Sequence, residues 1–189
     1  MSLLPTPINY RTSRRIKMDL TFRKAEPFEI TIAFSLLKDA AIWLNEKGID
    51  YWQDWLNPPS NFKDWVKAGF NNNEFYFVEY ENDIVGMYRL QYNDELFWGI
   101  REDRSGYIHS FTTKRNLKGK GIGNEILKHI ETTLKESGID YLRLDCSSKI
   151  NGLCTYYENY GFRGKGTVSL FGDILNLYEK DLRAVVHAS

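Results

Sequence analysis

The sequence is short of several things, and each shortage excludes a class of protein. Two cysteines in 189 residues, Cys146 and Cys154, cannot build a disulfide framework. Charge of one sign is not in excess, with 25 Lys plus Arg against 25 Asp plus Glu. No global positive field therefore draws the chain onto nucleic acid, and any affinity for phosphate has to be local. Long apolar runs are missing too: the richest stretch, Ala33 to Leu44, is broken by Lys38 and Asp39, well short of the roughly 18 residues that cross a bilayer. Neither His129 nor His187 has partners at a recognised metal-ligand spacing, so no metal is expected. These absences together point to a cytoplasmic protein without nucleic-acid or membrane partners. Monomer and homodimer are both compatible with them.

What is present is enough apolar residue, 42%, for one core; a domain of this length buries about 70% of its unfolded surface. Residues 1–19 carry Arg11, Arg14, Arg15 and Lys17 without a following apolar segment, which reads as a flexible arm rather than a signal peptide. A single domain is expected over 20–182, with a tail at 183–189. Its first half opens with a short strand at Leu20 to Lys24, a helix after Pro27 with Ala33, Leu36, Leu37, Ala40, Ala41 and Leu44 on one face, and a stop at Gly48. An aromatic connection follows, then a short helix around Asn61 to Lys67. Glu74 to Tyr80 and Ile84 to Gln91 predict a hairpin, and residues 92–106 a polar loop.

The second half predicts a strand at Tyr107 to Thr113, then a glycine-rich turn and a helix whose apolar stripe is Ile122, Ile126, Leu127, Ile130 and Leu134, ended by Gly138. A strand at Tyr141 to Asp145, a helix at Asn151 to Tyr160 and two strands near Phe162 to Ser169 and Ile174 to Glu179 complete a mixed α/β order without internal repeats. The turn Lys118-Gly119-Lys120-Gly121-Ile122-Gly123 lies between a strand and a helix, where unpaired N–H groups and the positive end of the backbone dipole attract a phosphate or pyrophosphate. It lacks the spacing of an NTPase phosphate loop. It also departs from the dinucleotide fingerprint, spelling G-x-G-x-G, although Asp145 stands 22 residues beyond Gly123, where a ribose-binding acid falls in that class.

The same turn, together with Tyr157-Glu158-Asn159-Tyr160-Gly161-Phe162, resembles the GNAT superfamily of acyl-CoA-dependent N-acyltransferases. The turn departs from that family's pattern at Lys118, where the family has Gln or Arg. Leu144-Asp145-Cys146 with Tyr156-Tyr157, and Trp43-Leu44 followed by Gly48-Ile49 and Trp52, are similar to a small bacterial branch of it. The resemblance implies a mostly antiparallel mixed sheet flanked by helices, with two splayed central strands that admit the coenzyme. It implies acetyl-CoA as co-substrate, held along the strand at Phe111, Thr112 and Thr113 by backbone pairing, and at the pyrophosphate by Lys118 to Gly123. Asn151 is the candidate for a further coenzyme contact, one position beyond the branch's own Asn, where this chain has Ile150. Tyr157 is the expected donor of a proton to the departing thiolate.

For the base, His109 on the central strand titrates near neutrality, while Glu74, Asp94, Glu95 and Asp145 are carboxylates able to act through a water. Trp52, Trp55 and Trp98, with Glu74 and Glu95, are the expected wall of an acceptor pocket in which rings and carboxylates attract an ammonium group. The cysteines read as buried packing residues. The expected activity is direct acetyl transfer to the primary amine of a small molecule or peptide. A silent acyl-CoA sensor that dispenses with Tyr157, and a dinucleotide oxidoreductase that uses Asp145, are the alternatives.

Overall fold

The computed structural model describes residues 18–183. Nearly all of the expected arm and tail, with His187, lies outside the described residues. Seven strands form one sheet in the order β1-β2-β3-β4-β5-β7-β6. Strands β1 (Thr21–Lys24), β2 (Phe75–Tyr80), β3 (Asp83–Gln91) and β4 (Ser105–Thr113) pair antiparallel in sequence order. β5 (Tyr141–Ser147) then pairs parallel with β4, and β7 (Asp173–Asp181) lies antiparallel between β5 and β6 (Arg163–Leu170).

Helices cover both faces. A 3-10 turn at Pro27–Glu29, with a capping box of Glu26 and Glu29 and Pro27 at its start, leads into α1 (Ile30–Glu46), which buries the predicted stripe from Ala33 to Leu44. α2 (Ser60–Asn71) extends beyond the predicted segment at both ends, because Val66, Gly69 and Phe70 bury a second turn. These two helices close over Phe75, Phe77 and Met87. On the opposite face lie α4 (Ile122–Glu136) and α5 (Asn151–Tyr160), packed on Val85, Tyr88, Ile108, Leu142, Leu144 and Tyr178. Between β3 and β4, the stretch expected to be wholly loop contains one helical turn, α3 (Glu95–Trp98).

Two features of the backbone prepare a site. The parallel pairing of β4 with β5 runs only from Ser105↔Tyr141 to Ile108↔Leu144. Beyond it β4 continues to Thr113 against β3, and β5 continues to Ser147 against β7, so the facing edges of both strands are unpaired. The second feature is a bulge in β4: Arg89 faces His109 while Met87 faces Thr112, and Ser110 takes φ 50, a left-handed conformation unusual for a serine. The slot between the strands is therefore lined by backbone N–H and C=O groups without sheet partners, a feature that asks for a ligand.

Candidate active site

One row of polar side chains crosses the α1/α2 face where the parallel pairing stops. Arg89 on β3 is in register with His109 on β4, and Asp145 on β5 stands one residue past the last β4–β5 pair. All three are nearly excluded from water, with side-chain exposures of 4%, 9% and 9%. Arg89 is neutralised in place: Glu74 lies 2.6 Å from its Nη2, its Nη1 donates to the Trp65 carbonyl, and its guanidinium stacks on the Trp65 ring at 4.0 Å.

His109 is held between two acids. Its Nε2 is 3.1 Å from Asp94 Oδ2, and its Nδ1 is 3.6 Å from Asp145 Oδ1. A carboxylate accepts, so the shorter contact puts a proton on Nε2 and leaves Nδ1 facing Asp145. Asp94 occupies the N-cap position of α3 yet makes no cap to that helix; its carboxylate is spent on His109 instead. Burial pulls the imidazole pKa down, but the Asp94 hydrogen bond and the charges of Asp145 and Asp94 outweigh it, and the net value lies above the ordinary 6.5. Burial pushes the Asp145 carboxyl up to about 6, His109 opposing and Asp94 adding to the rise. The acids sit at opposite nitrogens of one ring, so the three groups do not converge on a point. Among the described residues no group of His, Cys, Asp and Glu is placed to hold a metal ion.

The glycine turn flanks the other end of the slot. Gly119 and Gly121 both have φ 82, and a Cβ at either would meet nothing within 4 Å. They are glycines for the left-handed backbone and for the open ground before α4, not for packing. Gly121 is the N-cap of α4, and no side chain caps the helix, so its first N–H groups face that space. Gly123 is different: a Cβ there would lie 2.7 Å from the Tyr156 hydroxyl and 3.7 Å from the Phe111 ring. The Tyr156 hydroxyl is buried without a hydrogen-bond partner, an orphan at the point where α4, α5 and β4 meet. Arg115 and Lys118 lie over the Trp43 ring at 4.6 and 5.4 Å. Lys118 and Lys120 are exposed. A cleft of about 310 Å³ between α1 and Lys114 sits at this end of β4, away from His109.

Tyr157 is buried at 5% exposure between Tyr156, Phe162 and Tyr178. Burial, then the charges at Cys146, Tyr156, Tyr51 and Asp145, hold its phenol well above the ordinary value, so it is a neutral donor at any working pH. It belongs to the α4/α5 face, whereas His109 packs edge-on to Trp65 on the α1/α2 face. The two thus lie on opposite faces of the sheet. Cys146 and Cys154 are free thiols 3.7 Å apart in the core, and burial pushes the Cys146 thiol up, away from nucleophilic use.

The other sequence candidates fall in different places. Phe111, Thr112 and Thr113 lie on the free edge of β4, and Ile122 is buried beneath the glycine turn. Asn151 is the exposed first residue of α5. Trp52, with φ 63, stacks on Tyr51, and Trp55 packs on Phe62. Glu95 is exposed, and Glu74 is engaged by Arg89. Trp98 is buried with Tyr107 and under Arg143, which itself binds Asp103 and Glu179. Around His109 the rings are others, Trp65 at 5.8 Å and Phe97 at 5.0 Å. These two, with Asp94 and Asp145 as partners of His109, were not assembled by sequence reasoning. The available signal was a charged residue set in each of three apolar strands, but register is needed to bring them together.

The chain is similar to an uncharacterized N-acetyltransferase, YesJ, of Bacillus subtilis, 23% identical over 154 residues that cover 79% of this chain and 83% of that one. Its fold is similar to a GNAT-family acetyltransferase of Listeria monocytogenes, with TM-score 0.69 at 24% identity over 86% of this chain and 94% of the other. It is also similar to YncA of Salmonella typhimurium, solved with its cofactor acetyl-CoA, with TM-score 0.62 at 17% identity over 90% and 97% of the two chains. A family model for the acetyltransferase (GNAT) family matches residues 33–162, well over half the chain. With the splayed strands, the glycine turn and the order of motifs, this places the chain in the GNAT family of acetyltransferases.

Proposed function

We propose that this acetyltransferase binds acetyl-CoA in the slot between β4 and β5 and transfers the acetyl group directly to the primary amine of a small molecule or peptide. The observation that carries the reading is the position of His109 and Asp145, one residue past the end of the β4–β5 pairing, with Tyr157 on the opposite face of the sheet. The chain's groups fit the coenzyme. Open left-handed glycines before α4 suit a pyrophosphate, the free edge of β4 from Phe111 to Thr113 suits an extended amide-bearing arm, and the orphaned Tyr156 hydroxyl lies between them. The co-substrate supplies an acetyl thioester.

The residues then divide the proton work. An ammonium acceptor is drawn to the Asp94–His109–Asp145 cluster and gives one proton to solvent; as the neutral nitrogen adds to the thioester carbonyl, His109 Nδ1 takes a second proton from it and the C–S bond breaks, with Nε2–H anchored on Asp94 and Asp145 stabilising the imidazolium that forms. Tyr157 gives its hydroxyl proton to the leaving sulfur, a role open to a phenol kept neutral by burial. No covalent enzyme intermediate is required, and neither cysteine is placed for one. The dinucleotide alternative loses its ribose-binding acid, because Asp145 is buried beside His109. Calorimetry with acetyl-CoA and with NAD, followed by measurement of thiol release over a panel of amines, tests the proposal. Tight acetyl-CoA binding with amine-dependent release supports it. Binding without turnover of any amine returns the chain to the sensor reading.

A further inference from the structure

The surroundings of His109 restrict the acceptor further. Four rings from three elements form a chain of contacts that runs through it. Trp65 of α2 meets His109 edge-on at 5.8 Å, and Phe97 of α3 lies 5.0 Å from it. Phe97 meets Phe171 at 6.2 Å, and Phe171 meets Phe62 of α2 at 5.7 Å. Phe171 lies at the turn between β6 and β7, with φ 53 and 63% exposure, so an apolar ring is held in the open by a strained backbone. Leu96 beside Phe97 and Ile174 after the same turn are also more than half exposed. Exposed apolar side chains grouped in this way above His109 are not explained by packing alone.

The floor beneath the rings is anionic. Asp94 and Asp145 face His109, and Arg89, the cation that approaches from β3, is already held by Glu74. With His109 neutral, as its role as base requires, the two carboxylates are uncompensated, and they draw in an ammonium; the excess falls to one negative charge once His109 has taken a proton. Other carboxylates on the surrounding segments are engaged, Asp173 by Lys149 at 3.1 Å and Asp64 by Lys67 at 3.3 Å. Glu95, exposed on α3, remains for a second ammonium to use.

Resting on the acetyl-transfer reading above, we infer that the acceptor is a small monocationic primary amine with an aromatic or flat apolar body, seated among Phe97, Phe171, Phe62 and Trp65 with its nitrogen at His109 and Asp145. Such a body takes over the contacts the rings now make with one another, and the rings also favour the cation. A free carboxylate on the acceptor is repelled by Asp94 and Asp145. A polycation would place its second ammonium among the rings, away from Asp94 and Asp145, where only the exposed Glu95 could meet it.

Steady-state kinetics with acetyl-CoA and four amines test this: 2-phenylethylamine, ethanolamine, phenylalanine and spermidine. Phenylethylamine is expected to exceed ethanolamine in kcat/KM by roughly 30-fold, the worth of burying one phenyl group. It is also expected to exceed phenylalanine, which differs from it only by the carboxylate, and spermidine. Phe171→Ala and Phe97→Ala should each shrink the phenylethylamine-to-ethanolamine ratio several-fold, while Phe28→Ala, an exposed ring ahead of α1, leaves the ratio unchanged. Preference for spermidine, ethanolamine or phenylalanine, or an unchanged ratio in both the Phe171 and Phe97 variants when each is folded and binds acetyl-CoA, overturns the inference alone. Failure of the wild-type chain to bind acetyl-CoA overturns the acetyl-transfer reading with it.

Discussion

Replacing Asp145 by Asn should make the protein more stable and less active, and the pH at which stability is measured should decide how much. The carboxyl is held at about 6 against an ordinary 3.8, chiefly by burial. Each pKa unit corresponds to about 1.36 kcal/mol, so keeping Asp145 ionised costs the fold roughly 3 kcal/mol at pH 8. The direction follows from which state binds the proton. Between pH 6 and 3.8 the folded protein retains a proton that the unfolded chain releases, so the cost fades as the pH falls through that window, to about 1 kcal/mol at pH 4.5. Asn keeps the shape and discards the charge. Urea unfolding of both proteins at pH 8 and pH 4.5 reads the difference, with the Asn protein ahead by about 1–3 kcal/mol at the higher pH and by less at the lower. Thiol release by the same variant should fall, because the imidazolium at His109 loses its stabilising anion. A variant that is equally or less stable at pH 8 would refute the reasoning, since it would show a carboxylate already satisfied where it sits.

Other substitutions separate the parts of the site. Gly121→Val places a β-branched residue at φ 82 in the open space before α4, and should cost about 1–2 kcal/mol of stability and most of the acetyl-CoA affinity measured by calorimetry; unchanged affinity would remove the turn from the coenzyme site. Tyr157→Phe should lower kcat by up to about 10²–10⁴-fold with coenzyme affinity nearly intact; a kcat within about twofold of wild type, with chemistry rate-limiting, would end its assignment as the acid. Asp94→Asn removes the hydrogen-bonding anion that raises the His109 pKa, so the acidic limb of kcat should shift to lower pH as the maximal rate falls. A limb that stays in place would mean that another group controls it.

The regular elements were largely legible because burial imposes a period on the sequence. The stripe Ile122, Ile126, Leu127, Ile130 and Leu134 is the buried face of α4, and α5 ends at Gly161 in the left-handed conformation that glycine permits. Less was visible where tertiary contacts override local preference. α3 is a single turn whose N-cap aspartate is diverted to His109, so the usual start signal is absent from the backbone. The bulge at Ser110 places a left-handed residue within a β-rich run, which no propensity indicates. The row Arg89, His109 and Asp145 exists only after three strands have found register. Phe171, at a turn to which the sequence pattern assigns nothing, meets rings of α2 and α3, more than 70 residues away along the chain.

The short β4–β5 seam has a mechanical consequence. Four residue pairs join one half-sheet, β1 to β4, to the other, β5, β7 and β6. Each half is internally knit by longer antiparallel ladders, and the helix α4 bridges them. The seam is therefore a line of few ladder hydrogen bonds, and its amides are expected to exchange ahead of those in the long ladders. A chain of amides laid between the free edges of β4 and β5 acts as a splint across that line. With acetyl-CoA bound there as proposed, occupancy of the slot and rigidity of the sheet would be linked, and slower amide exchange along β4 and β5 is the expected sign.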